Sequence, residues 1–198
     1  MTIFFTSDLH FGHKNIIQYS GRPYQDVNEM REILILNWNS VVKPINTIFI
    51  LGDVVMGQRE DSLTAISRLN GVKFLIPGNH DDCHPMYRDK KAYMRKLEMY
   101  EAAFGQVYLG DAARCAVDDE MYNLSHFPYR PQGNLDHQGR DFSPWQREDD
   151  GTTLLCGHVH EKWAEKKTDK GTLMINVGVD VRNYTPISLD QIRAIASQ

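Results

Sequence analysis

Five short apolar runs in this chain each break off into a loop carrying Asp, Asn or His, and this repeated ending limits the folds open to it. The loops read Ser7-Asp8-Leu9-His10, Gly52-Asp53, Gly78-Asn79-His80-Asp81, Ser125-His126 and Gly157-His158-Val159-His160. The runs before them, residues 3–6, 47–51, 72–76, 121–124 and 153–156, have the length and composition of buried strands. In open α/β sheets, sites form where loops leave the carboxyl ends of strands. Five such loops can therefore meet at one place.

The segments between the runs specify the layers. Asp26-Val27-Asn28-Glu29 has capping-box spacing, and Met30, Ile33, Leu34, Asn37 and Trp38 then recur at helical intervals before Lys43-Pro44 stops the helix. Residues 61–70 read as a second helix ended by Asn70-Gly71, and residues 89–104 as a third with a basic, solvated side. Strand–helix–strand alternation implies parallel pairing with right-handed crossovers. The second half instead predicts short strands at 106–109, 114–117, 121–124, 153–156, 162–166 and 172–176, with turns at 118–120 and 168–171. The expected architecture is a four-layer α/β/β/α sandwich of two mixed sheets with helices outside. With no repeat or linker, residues 1–198 read as one domain, and the polar stretch 127–151 reads as a long functional loop.

Composition narrows the class of function. The net charge is −4, from 22 basic and 26 acidic residues, which disfavours long nucleic acid as a ligand. No apolar stretch approaches a membrane span and no basic n-region opens the chain, so a cytoplasmic protein without membrane contact is expected. The three cysteines form no CxxC pair and read as reduced thiols. Cys115 and Cys156 fall in apolar runs as core residues, and Cys83 is expected to be solvent-accessible.

Each loop motif is weak alone, but together they supply three Asp or Asn oxygens and four imidazoles, more than a core needs. Buried carboxylates without a cation to offset them are costly. Seven donors suit two divalent cations sharing a carboxylate. Mixed nitrogen and oxygen donors favour manganese, with iron, zinc or nickel as alternatives, over calcium or magnesium. Two such cations can stabilise the attacking and leaving oxygens of a phosphoryl displacement.

In order, Asp-x-His, Gly-Asp, Gly-Asn-His-Asp, His and Gly-His-x-His from Asp8 to His160 resemble the calcineurin-like metallophosphoesterase family, in particular its compact bacterial and phage members. The resemblance implies that Asp8, His10 and His160 bind one metal, that Asn79, His126 and His158 bind the other, and that Asp53 bridges them. It implies that a metal-activated hydroxide attacks phosphorus and that His80 assists the leaving oxygen. The sequence departs from the phosphoprotein phosphatases, which extend Gly-Asp to Gly-Asp-x-Val-Asp-Arg-Gly. Here Met56 stands at the position of the second Asp, and the Arg is missing. Asp81 and Asp82 are the candidates to take over the lost carboxylate's role beside the catalytic histidine, with helix capping the equal alternative for Asp81. The missing Arg favours phosphodiesters, since a dianionic monoester gains most from a bidentate guanidinium.

His13 and Arg130, with Asn79, are candidate substrate contacts. Arg22 is a candidate for the cleft rim, and His84 and His137 read as surface residues. Tyr129, Phe142 and Trp145 have faces on which a base could stack, although pinning the loop to the core is the commoner use of such residues. The function expected is hydrolysis of small phosphodiesters or nucleotides, cyclic forms (2′,3′ or 3′,5′) included. A phosphomonoesterase is the nearest alternative, ahead of a nuclease or a non-catalytic protein-binding scaffold.

Overall fold

A computed structural model describes residues 2–57, 59–108, 113–131 and 139–198 of the chain. Four parallel strands, β1 (Ile3–Thr6), β2 (Thr47–Ile50), β3 (Val72–Leu75) and β4 (Gln106–Val107), form the first sheet, and β10 (Ile187–Ser188) adds antiparallel to the outer side of β1. The second sheet runs in the order β5 (Ala113–Val117), β6 (Glu120–Leu124), β7 (Leu154–Cys156), β9 (Leu173–Asn176) and β8 (Glu165–Lys167), with parallel pairing only at β6–β7 and β7–β9.

The period of two along the strands decides which side chains meet which layer. Phe4, Ile48, Ile50 and Leu75 face outward onto α1 (Ile16–Tyr19), α2 (Val27–Val41), α3 (Arg59–Ile66) and α4 (Tyr93–Phe104), where they join Leu34, Trp38, Ile66 and Tyr100 in one core. Phe5, Leu51 and Ile76 point the other way and meet Leu124, Leu155 and Ile175 of the second sheet. Each such fully buried Leu or Ile contributes about 1.5–3 kcal/mol. Phe5, Phe49 and Phe74 stack across β1, β2 and β3 at centroid spacings of 5.7 and 5.3 Å. The second sheet's outer face carries a smaller cluster of Leu154, Cys156 and Met174 under Tyr129 and Trp163. This is the α/β/β/α sandwich expected, with the thinner outer layer over the second sheet.

Several elements depart from the sequence reading. The third helix starts at Tyr93 rather than near residue 89, because the preceding backbone is held in tight turns. The Tyr87 hydroxyl donates to the Asn79 carbonyl at 2.6 Å and that of Tyr93 to the Cys83 carbonyl at 3.2 Å, so this stretch is tied to a site loop. The strand at 106–109 belongs to the first sheet, and Leu109 lies outside the described residues. The strand expected at 162–166 begins at Glu165, since His160–Lys162 is a 3-10 turn. The final strand β10 and α5 (Leu189–Ala196) were not expected, although Ser188 and Gln191 form a complete capping box there. Cys83 is fully buried, correcting its expected exposure, and Cys115 and Cys156 are buried as expected. Among the described residues, no helix is long and apolar enough to cross a membrane.

Candidate metal centre

The loops after β1 and β2 continue side by side beyond the strand ends. Ser7 Oγ donates to the Leu51 carbonyl at 2.6 Å, and the N–H groups of Asp8, His10 and Phe11 donate to the carbonyls of Gly52, Asp53 and Val54 at 3.0, 2.9 and 2.8 Å. The run of paired backbone holds Asp8, His10 and Asp53 at φ of 60°, 52° and 53°. Across the site His158 and His160 adopt φ of 69° and 48°. The left-handed region costs an L-residue roughly 1–2 kcal/mol, and such strain persists where surrounding structure over-determines it. Here it turns five of the expected metal-binding residues out of their strand-end loops.

Glycines let these loops close in. A Cβ on Gly78 would run into the Asp53 carboxylate, and one on Gly157 into Ser7 Oγ and Asp8 Oδ2. The buried Asp81 carboxylate braces them from behind, accepting the N–H groups of Asp53, Val54 and Gly78 at 2.8, 3.0 and 2.9 Å.

The ligand atoms gather in two overlapping groups. Asp8, His10 and His160 form one and Asp8, Asp53 and His126 the other, each with its atoms within 4.8 Å of one another. Asp53 Oδ2 lies 3.6 Å from His10 Nε2 and 3.4 Å from His126 Nε2, between the two groups. Asn79 Oδ1 is 3.0 Å from His126 Nε2, and the His158 ring stands 5.2 Å from that of His126, edge-on. The His158 N–H donates to Asp8 at 3.1 Å.

Hydrogen-bond chemistry tests whether cations fit this set. His126 Nδ1 is 2.7 Å from the Leu51 carbonyl, which can only accept, so that nitrogen carries the proton. In the neutral ring Nε2 is then a lone pair, yet it faces two oxygens that also only accept. His10 is 1% exposed, and neither of its nitrogens meets a hydrogen-bond partner. With its rings neutral such a set lacks positive charge, which divalent cations would supply.

Burial and the carboxylates pull the ring titrations in opposite directions, down at His10 and His158 and up at His126 and His160. Burial works against charge on His126, but the Asp53 carboxylate and its hydrogen bond outweigh it and raise the ring to about 9. Burial pushes Asp8 up, His10 well below its usual range, His158 down to about 3 and His13 to about 4. Neutral imidazole is the form that ligates a metal.

His80 stands at the cleft, with the His13 ring near it. The His80 N–H donates to Asp53 Oδ1 at 2.8 Å, and its ring lies 5.5 Å from that of His10. The His13 ring lies 5.3 Å from His10 and 6.4 Å from His80. Asp53, Asn79, His80, His158 and His160 line a cleft of about 70 Å³, walled by Ile16, Tyr19 and Ser20 on α1 and its C-terminal turn and by Glu161 and Lys162 after the His160 loop.

Other sequence expectations fall elsewhere. Arg130 is turned to the surface, where its guanidinium pairs with Glu148 at 3.0 Å. The Asp81 carboxylate is taken up by backbone N–H groups and by the Tyr100 hydroxyl at 3.4 Å, so it supports Asp53 and Asn79 from behind. Arg22 is buried rather than on the rim. His84 is 2% exposed, correcting its surface assignment: Nδ1 accepts from the Met86 N–H and the ring packs on Phe127 and Trp145. Tyr129 and Phe142 are buried, and Phe142 stacks on Phe127 at 5.2 Å against His158, so the aromatic residues pin the loop. His137 lies outside the described residues.

The sequence reading gave no site role to Asp180 or Asn176 and placed Arg22 only at the rim. Asp180 Oδ2 sits 2.9 Å from His160 Nδ1, and Arg22 pairs with both Asp180 oxygens at 2.8 and 2.9 Å. Asn176 Nδ2 donates to the His160 and Trp163 carbonyls at 2.8 and 2.9 Å. The available signal was a run, Asn176-Val177-Gly178-Val179-Asp180, that repeats the pattern of an apolar strand ending in a polar loop.

Known proteins resemble this chain in sequence and in fold. The gene 66 protein of Mycobacterium phage L5 is 37% identical over 169 residues, covering 79% of this chain and 76% of its own. The gene 66 protein of Mycobacterium phage D29 is 32% identical, covering 98% and 96%. The crystal structure of a protein of unknown function from Aquifex aeolicus superposes with a TM-score of 0.67 at 25% identity, covering 98% of each chain. The sequence pattern of the calcineurin-like phosphoesterases matches residues 1–162, nearly every strand-end loop described above included. The chain therefore belongs to the calcineurin-like phosphoesterase family, a family of phosphoric ester hydrolases.

Proposed function

We propose that this protein is a phosphodiesterase acting on small diesters, cyclic nucleotides among them, through two divalent cations. Asp8, His10 and His160 hold one cation, Asn79, His126 and His158 the other, and Asp53 lies between them. Manganese is the first cation to test, because the donors mix imidazole with hard oxygen. The observation that carries the reading is the convergence of buried donors: Asp53 Oδ2 lies 3.6 Å from His10 Nε2 and 3.4 Å from His126 Nε2, and neither nitrogen of His10 has a hydrogen-bond partner.

When bound, the cations withdraw charge from the phosphoryl oxygens and acidify a water. The residues do the rest. Asp53 orients the His80 backbone, which leaves that imidazole at the cleft to give a proton to the departing ester oxygen. His13, with its ring 6.4 Å from that of His80, is the neighbour from which a second imidazole would reach the phosphoryl oxygens. Asp81 acts as a positioning residue, holding the Asp53 and Gly78 loops at a fixed spacing.

The preference for a diester follows from the cleft wall. Among the described residues lining it, Lys162 is the one Lys or Arg side chain. Arg22 is committed to Asp180 and Arg130 to Glu148. Without a guanidinium fork the singly charged diester is favoured over the dianionic monoester. The cleft is also far smaller than the roughly 300–1,000 Å³ of a site that encloses a whole ligand. It takes the reacting phosphoryl group and leaves the ester substituents outside.

The test is turnover of bis-p-nitrophenyl phosphate and of p-nitrophenyl phosphate by metal-stripped protein reloaded with Mn²⁺. Metal-restored activity biased to the diester is expected. A monoester bias replaces the diesterase with a phosphatase, and Mn²⁺-independent turnover removes the metal centre from the reaction.

A further inference from the structure

We infer that Asp180 and Arg22 are positioning residues for one of the two cations, and that the segment after the family-matched region completes the metal centre. The inference rests on the reading of His160 as a ligand. The Asp180 carboxylate fixes the His160 ring with Nδ1 protonated, and Arg22 fixes Asp180 while tying it to the Asp8 loop.

The geometry is explicit about protons. A carboxylate accepts, so Nδ1–H of His160 donates to Asp180 Oδ2 across 2.9 Å. The neutral ring then keeps its lone pair on Nε2, the nitrogen left for a metal shared with Asp8 and His10. An imidazole with the opposite tautomer would present a hydrogen instead. A carboxylate behind a ligating histidine also raises the basicity of the ring, and removing such a partner typically costs 10–100-fold in metal affinity.

Arg22 explains why Asp180 can act this way while 1% exposed. Its fork occupies both Asp180 oxygens, and the same guanidinium donates to the backbone carbonyls of Asp8 at 2.7 Å and Leu9 at 3.1 Å. One cation thus locks the Asp8–His10 loop to the loop bearing Asp180. The Arg22–Asp180 pair is internally neutral, so the negative charge available to cations stays on Asp8 and Asp53. A buried ion pair is weak evidence for stability, because an apolar replacement of equal volume is often as stable. Its location, one hydrogen bond behind a candidate ligand, accounts for it better.

The segment carrying Asp180 is built against the centre. The Val179 N–H donates to the Ser7 carbonyl at 3.1 Å, and a Cβ on Gly178 would come within 2.8 Å of Asp8 Oδ2. The match to the family covers residues 1–162 and ends before this segment.

The experiment titrates Mn²⁺ into metal-stripped full-length protein, wild type and Asp180→Asn, by calorimetry with metal analysis after dialysis. The wild type is expected to take two ions. The variant is expected to bind one of them 10–100-fold more weakly and the other unchanged. Both ions bound with wild-type affinity overturns the inference, and so does an equal weakening of both, the mark of general loosening. A wild type that takes no Mn²⁺ overturns the metal-centre reading itself. Should the variant not fold, ¹⁵N–¹H correlation of the wild-type His160 ring decides: a proton on Nδ1 is expected, and a ring with its proton on Nε2 and none on Nδ1 overturns the assignment.

Discussion

His10→Leu separates the needs of the fold from those of the centre. The His10 ring is 1% exposed and neither of its nitrogens has a hydrogen-bond partner, the Asp53 carboxylate standing off at 3.6 Å. A buried polar group without a partner costs about 1–3 kcal/mol. Leucine fills a similar volume without that cost, although at φ 52° it loses up to about 1 kcal/mol against histidine, which tolerates the left-handed region better. In metal-stripped protein the variant should therefore equal the wild type or exceed it by up to about 2 kcal/mol, against a usual loss near 1 kcal/mol for a point mutation. Mn²⁺ should reverse the order. At 100 times its dissociation constant a bound ion stabilises the wild type by about 2.7 kcal/mol. For a chain of 198 residues, at about 2–4 °C per kcal/mol, that is about 5–11 °C in Tm, and most of it should be missing in the variant. Calorimetric melts of both proteins, with and without Mn²⁺, give all four values. A stripped variant more than about 1 kcal/mol less stable than stripped wild type refutes the unpartnered-imidazole argument. An undiminished Mn²⁺ response removes His10 from the ligand set.

Four further substitutions probe the remaining assignments. His80→Ala should keep both ions by metal analysis and lose about 10²–10⁴-fold in diester turnover, since it removes only a proton donor; unchanged turnover takes His80 out of the reaction. Asp53→Ala should lose one or both ions, because its Oδ2 lies between His10 and His126, and full occupancy contradicts a bridging place. Gly157→Ala puts a methyl group against Ser7 Oγ and the Asp8 carboxylate, so weaker Mn²⁺ binding in calorimetry is expected along with a lower Tm. Arg130→Ala should change KM less than about twofold, as exposed ion pairs such as Arg130–Glu148 are worth little and Arg130 is not among the cleft-lining residues; a tenfold rise in KM would bring Arg130 into substrate binding.

The exposed ends of the proposed diester would meet a defined neighbourhood. Tyr19 is 61% exposed on one wall of the cleft and Lys162 stands on the other. A small reacting pocket with open, mixed walls suits diesters that differ in their substituents and share a phosphoryl group. Specificity in such a site comes from the walls, while the floor supplies the chemistry.

The pattern of residues alone determined much of this protein. Alternation within strands such as Thr47–Ile50 sets which residues face the helices and which the second sheet, because successive side chains point to opposite faces. The strand-end loops were legible because each motif is short and contiguous and its chemistry, imidazole and carboxylate without a local partner, has few uses. Only the tertiary structure decided which polar residues serve the centre. Asp180 and Arg22 are 158 residues apart and nothing local marks them as a pair, yet they meet behind His160. Arg130 lies four residues from His126 yet pairs with Glu148 and is not among the cleft-lining residues, and Asp81, next to His80, spends its oxygens on backbone N–H groups. Ligand type and loop position are written in short-range spacing. The partners that orient ligands depend on side-chain direction after the chain has folded, and that is set by packing across the whole molecule.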